Sequence, residues 1–226
     1  MEANGKTGAV ILANGDFPWH EIPLEILKNS SFLVCTDGSA CSLYKSQQKF
    51  RDDARLCALS PKAVIGDGDS LPEDLKNHYK SVFFQEKEQD TNDLTKATNY
   101  CIRQGYKNIT YLGVGGKRED HTVANFSLLM FYFKNFSISL TAYTDYGRFI
   151  PCSGDCTFKA EPGQQVSVFN FGCEELASTG LKWDLYDFDE LWQGTLNEAL
   201  SDSFTIKADG YYLVYITYDR KKKNSA

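Results

Sequence analysis

Up to about residue 145 this sequence alternates short apolar runs with segments of helical period, and beyond that point the helical period stops. Runs 9–13, 32–36, 63–65, 81–84, 108–112 and 138–143 are rich in aliphatic and aromatic residues and read as strands. Between them, 71–77, 92–104 and 120–133 read as helices. In the second of these, Leu94, Ala97, Tyr100 and Cys101 recur at spacings of three and four, and Asn92 stands where an N-cap belongs. Such alternation predicts a three-layer α/β/α domain over 1–145, with a mainly parallel sheet covered on both faces. From 146 to 226 the clearest segments are 165–171, 204–207 and 211–218, all β-rich and separated by turn residues. The last is apolar or aromatic on both alternating sets, which predicts a strand buried on both faces. Ala208-Asp209-Gly210 before it predicts a hairpin. This half is expected to be a small antiparallel β-sandwich or barrel, so the whole chain is α/β followed by all-β.

A length of 226 residues suffices for two domains with separate cores. No apolar run reaches the length of a membrane span. The opening MEANGKTGAV lacks the basic-then-apolar order of a signal peptide, so a cytoplasmic protein without a membrane partner is expected. A net charge of −6 argues against nucleic acid as a partner, since binding to its backbone wants a basic face. Seven cysteines lie at 35, 41, 57, 101, 152, 156 and 173, without the paired CxxC spacing of a zinc site. They read as reduced thiols.

Each clear strand of the first half runs into a polar or glycine-rich turn. These are Asn14-Gly15-Asp16, Asp37-Gly38-Ser39-Ala40, the GDGDS segment 66–70, residues 89–93, and residues 113–121. Ligands of open α/β sheets bind outside the carboxyl ends of the strands. These turns therefore face one crevice, where Asp37, Asp67, Asp69, Asp93 and Asp120 converge opposite Lys117 and Arg118. Two carboxylates about 4 Å apart repel by about 4 kcal/mol at an effective dielectric of about 20. A fold keeps such a pair by protonating one member or by binding a cation. Hard oxygens on glycine-rich backbone suit Mg²⁺, which also takes phosphate oxygens. Glycine turns let backbone N–H groups approach phosphate, and a guanidinium clamps it. Taken singly, each feature has a plainer reading: GDGDS as an acidic surface turn, Asp93 as an acid favouring the helix dipole, His121 as a structural hydrogen-bonding partner. Five acids in register after successive strands favour a phosphate-plus-metal site.

Taken together and in order, these segments resemble the thiamine pyrophosphokinase family. CTDGSACSLY at 35–44 resembles its ADGGANRLY-type segment, and VIGDGDS at 64–70 its GDFDS or GDLDS. EQDTNDLTKA at 88–97 is similar to DQDxTDxxKA, GGKREDHTVAN at 115–125 to GGRxDHxxxN, and STGLKWDL at 178–185 to STxGLKWxL. The resemblance implies pyrophosphoryl transfer from ATP to thiamine by a Mg²⁺-dependent homodimer. It implies Asp67, Asp69 and Asp93 as metal ligands, with Asp69, Asp93, Arg118 and Asp120 as the catalytic set. Asn14, Asp37, Gly38, Lys117, Arg118 and His121 would bind ATP. Gln89 and Asn92 would bind thiamine, joined by Ser178 and Trp183 from a second subunit. Three positions depart from the family's pattern: Gly68 replaces a bulky apolar residue, Lys117 a common glycine, and Asn92 a frequent threonine. Two alternatives stay open on the residues alone. Acidic strand-end clusters also serve water attack in Mg²⁺-dependent phosphohydrolases, and a non-catalytic thiamine or nucleotide sensor would bind the same ligands.

Overall fold

The structure is a computed structural model that describes residues 8–88 and 90–220, and it divides into the units Met1–Asp145 and Tyr146–Ala226. In the first unit the order is β1 (Ala9–Leu12), α1 (Glu21–Lys28), β2 (Leu33–Thr36), α2 (Asp37–Lys49), α3 (Ala54–Cys57) and β3 (Ala63–Gly66). There follow α4 (Glu73–His78), β4 (Phe83–Gln85), α5 (Asp93–Arg103), β5 (Asn108–Leu112), α6 (Glu119–Asn135) and β6 (Ser139–Tyr143). The strands pair in parallel in the order β6-β5-β1-β2-β3-β4. Strand side chains alternate between faces, and helices cover both. Val10, Leu12, Leu33, Cys35 and Val64 pack with Leu27, Leu43, Leu56 and Leu75 of α1 to α4. On the opposite face Tyr111 of β5 bonds Thr98 of α5 (3.0 Å) and stacks on Tyr132 of α6 (6.1 Å). The three-layer expectation holds.

Asn92 caps α5 as expected, its side chain accepting from Thr95 N at 2.9 Å. The turn expected at 37–40 is instead the buried first turn of α2. Ser39 secures it, donating from Oγ to the carbonyls of Thr36 (2.8 Å) and Leu12 (2.5 Å). Helices α1 to α3 fall outside the segments read as helical. No helix among the described residues is long and apolar enough to cross a membrane.

The second unit holds β7 (Gly147–Ser153), β8 (Cys156–Lys159), β9 (Gln164–Asn170), β10 (Leu176–Thr179), β11 (Asn197–Glu198), β12 (Ser203–Ala208) and β13 (Tyr211–Arg220). They form antiparallel sets β11-β9-β13-β7 and β10-β12-β8 around a core that includes Val168, Val214, Ile206 and the stacked rings of Phe158 and Phe204. β13 lies between β7 and β9, with Tyr212, Leu213 and Val214 buried, which accounts for its apolar character on both sets. The hairpin expected at 208–210 is a corner instead. β12 pairs with β10 and β8, and β13 with β7 and β9. Asp209 makes the corner by accepting from the N–H groups of Glu174 (2.9 Å) and Glu175 (3.0 Å).

Candidate active site

β1 has β2 on one side and β5 on the other, so the strand order reverses between β1 and β5, the place where an open α/β sheet presents a crevice. The loops leaving these two strands are joined by backbone bonds, Gly15 N to Gly113 O (2.7 Å) and Asp16 N to Gly115 O (2.8 Å). Glycine is required at 15, because a Cβ there would collide with the carbonyl oxygens of Gly113 and Gly115. Lys117 sits at φ +59°, left-handed backbone that costs an L-residue about 1 kcal/mol. That conformation explains why glycine is common here in the proteins this segment resembles. The Lys117 ammonium returns to the first loop and donates to Asn14 Oδ1 at 2.8 Å. Arg118 opens α6 and donates twice to the Asp120 carboxylate, at 2.6 and 3.1 Å. This guanidinium holds the Asp120 carboxyl below its ordinary range.

The acidic wall is built differently. Asp37 is buried at 1% exposure, and its carboxylate accepts from Gly38 N (2.6 Å), Gly68 N (3.2 Å) and Ser70 N (3.4 Å). It thereby ties the start of α2 to the GDGDS turn. Within that turn Asp67 accepts from Asp69 N at 2.9 Å, and Asp69 itself is exposed. Asp93 is the first residue of α5. Its carboxyl is pushed up to about 6, by burial first and then by the negative charge of Asp37 and Asp67. Lys96, one turn on, pulls it the other way. The Lys96 side chain is 3% exposed, with Nζ 3.5 Å from Asp93, 3.8 Å from Glu88 and 3.1 Å from the Glu86 carbonyl it donates to.

Among the described residues, no three His, Cys, Asp or Glu side chains lie close enough to cage a metal ion. Asp67, Asp69 and Asp93 fit a hard cation completed by waters and substrate phosphates, held by one or two carboxylates at a time. The raised pKa of Asp93 is the mark of negative charge crowded together, which a cation relieves.

A cavity of about 370 Å³ brings together Asn14, Asn92, Asp93, Lys117, Arg118 and His121, along with Thr36, Ser70, Val114 and Asn125. Gly38 lies against the Asn14 amide, Asp37 is buried, and Asp120 turns to Arg118; none of these three lines the cavity. Gln89 lies outside the described residues. A larger cleft of about 950 Å³, bordered by Phe17, Trp19, Phe50 and Arg55, contains none of the residues predicted from sequence.

In the second unit, Ser178 on β10 accepts from Leu185 N at 3.0 Å. Asn197 clasps the same loop, accepting from Trp183 N (3.2 Å) and donating to Trp183 O (2.7 Å). The two side chains hold up a loop that presents Trp183 at 51% exposure, with the Lys182 ammonium 4.9 Å from its ring centroid.

Thr36, Asn125 and Lys96 were not anticipated. Lys96 could have been found from its three-residue spacing to Asp93 on one helix face, and Asn125 from its four-residue spacing to His121. Thr36 reads only as a strand residue and carries no such signal.

Comparison with curated protein sequences returns no match. The family described as thiamin pyrophosphokinase, catalytic domain, matches residues 24–140, more than half of the chain, and its substrate-binding domain matches 147–215. Among solved structures, yeast thiamin pyrophosphokinase is similar at a TM-score of 0.78 and 18% identity, covering 95% of this chain and 87% of that one. Thiamin pyrophosphokinase from Candida albicans gives 0.76 and 19%, covering 94% and 90%. The enzyme from Bacillus subtilis gives 0.72 and 20%, covering 93% and 98%. With a match on each half and the fold shared along nearly its full length, the chain belongs to the thiamin pyrophosphokinase family of transferases.

Proposed function

We propose that this chain transfers the pyrophosphoryl group of ATP to the hydroxyethyl oxygen of thiamine, giving thiamine diphosphate and AMP, with Mg²⁺ as the metal. The observation that carries the reading is the meeting of Asp93, Lys117 and Arg118 in one cavity where the strand order reverses. Lys117 and Arg118 supply cations to the polyphosphate, and Asn14, Gly38 and His121 shape its surroundings. Asp37 sets the GDGDS turn, and Asp120 orients Arg118. Asp67, Asp69 and Asp93 hold Mg²⁺, which when bound offsets the charge on the phosphates. As the thiamine oxygen bonds to the β-phosphorus, the bond to the α-phosphate oxygen breaks and AMP leaves. Asp69 or Asp93 accepts the alcohol proton. Catalysis comes chiefly from positioning and electrostatics.

For thiamine, Gln89 and Asn92 act from the first unit, read as the catalytic domain. Ser178 and Trp183 act from a second protomer of a homodimer, which makes 146–226 the thiamine-binding and dimerisation domain. An exposed indole face suits a cationic thiazolium ring. The cytosol is the proposed compartment, in keeping with seven free cysteines. Incubation with ATP and Mg²⁺, with and without thiamine, tests the reading. AMP formation that depends on thiamine is expected. Equal release without thiamine would replace transfer by hydrolysis, and binding without turnover would leave only a sensor.

A further inference from the structure

Thr36 ends β2 and is the N-cap of α2. A threonine there ordinarily turns its hydroxyl onto a backbone N–H two or three residues ahead, and Thr36 makes no such bond. Its neighbours do that work. Asp37 takes Gly38 N, and Ser39 donates back to the Thr36 carbonyl. Thr36 is 3% exposed, and its Oγ1 is the only buried side-chain N or O atom among the described residues without a hydrogen-bond partner. The same residue lines the cavity with Asn14, Asp93, Lys117 and Arg118. An unpaired buried hydroxyl is a net cost to a fold, and it persists where a partner arrives from outside. The partner's class follows from the surroundings: two cationic side chains share the cavity, and the 13-residue α2 begins at Thr36, where helix geometry favours an anion.

We propose that Thr36 contacts the nucleotide donor, its hydroxyl donating to a phosphate oxygen of ATP. The contact deepens the ATP-site reading above and rests on it. It is particular to this chain, because the family segment that 36–44 resembles begins with alanine.

The test is Thr36→Val, which keeps the shape and removes the hydroxyl, beside Thr36→Ser, which keeps the hydroxyl. Calorimetric titration with ATP and Mg²⁺ is expected to show about tenfold weaker binding in Thr36→Val and near-native binding in Thr36→Ser. The KM for thiamine stays unchanged. Without ligand, Thr36→Val melts about 2 °C higher than the wild type, since the orphan hydroxyl is gone. Unchanged ATP affinity, a lower melting temperature, or failure of Thr36→Val to fold would each overturn the contact. Wild-type turnover separates the two levels. No thiamine-dependent AMP from the wild type sinks the ATP-site reading, whereas an active wild type with an indifferent Thr36→Val sinks only this inference.

Discussion

The two walls of the crevice obey different rules. On the cationic wall, Lys117 and Arg118 are exposed, and backbone fixes their place: two interloop hydrogen bonds, tight glycines and one left-handed residue. On the acidic wall, Asp37, Asp93 and Lys96 are buried or half-buried, and side chains fix the backbone instead. A charge on the first wall is a decoration of the loop and can be exchanged at small cost to folding. A charge on the second wall is a structural member, so ligand chemistry and stability are drawn from the same atoms. Asp69 is the exception on the acidic side, exposed and free to serve the ligand alone.

Four experiments break or sharpen this contrast. The largest effect belongs to Asp69→Asn. Turnover should fall about a thousandfold while the melting temperature moves by no more than about 1 °C. Undiminished activity would remove the metal role from the acidic wall. Asp37→Ala strips the acceptor from three N–H groups and should cost about 3 kcal/mol in urea unfolding. A neutral result would erase the distinction between the walls.

Asp93 makes its case through pH. Its pKa in the fold, about 6, stands above the ordinary 3.8, so the folded state holds its proton more tightly than the unfolded one. The metal-free protein should therefore be most stable below about pH 4 on this account, losing about 1–2 kcal/mol as the pH rises through 6, after discount for partial exposure. Added Mg²⁺ should return that loss at pH 7. A flat profile between pH 4 and 7 would show that the charges are not crowded. The smallest effect is Lys117→Gly, expected to stabilise the fold by about 0.5–1 kcal/mol as left-handed strain is relieved, while the KM for ATP rises severalfold. Loss of stability there would mean that the cationic wall is as load-sharing as the acidic one.

The alternation of strands and helices, the strand-end turns and the Asn92 cap were all legible in the sequence, because each is a local pattern. Helix α2 was not. Its sequence, DGSACSLYKSQQK, has little apolar periodicity, and its small first residues are buried by what surrounds them. The corner at Asp209 looked like a hairpin, because turn residues say that a chain bends and not which strands it then joins. In the site, the acids could be gathered on paper but not ranked. Asp37 is a buried anchor only because Gly68 and Ser70, 31 and 33 residues away, deliver their N–H groups to it. Thr36 was invisible, since an orphan hydroxyl is defined by everything that fails to reach it.

The seam between the loops after β1 and β5 carries a consequence for how this molecule is born. Ala9 stands opposite Ile109, so β1 emerges from the ribosome long before its neighbour exists. Until then it is a hydrophobic ribbon with one open flank, a hazard for misassociation. The nucleotide cannot rescue that early stage, because the bonds that close its cradle, Gly15 to Gly113 and Asp16 to Gly115, wait for the same late partner. Ligand and substrate therefore reward only a nearly finished domain, and the young chain must depend on speed, or on chaperones, to reach it.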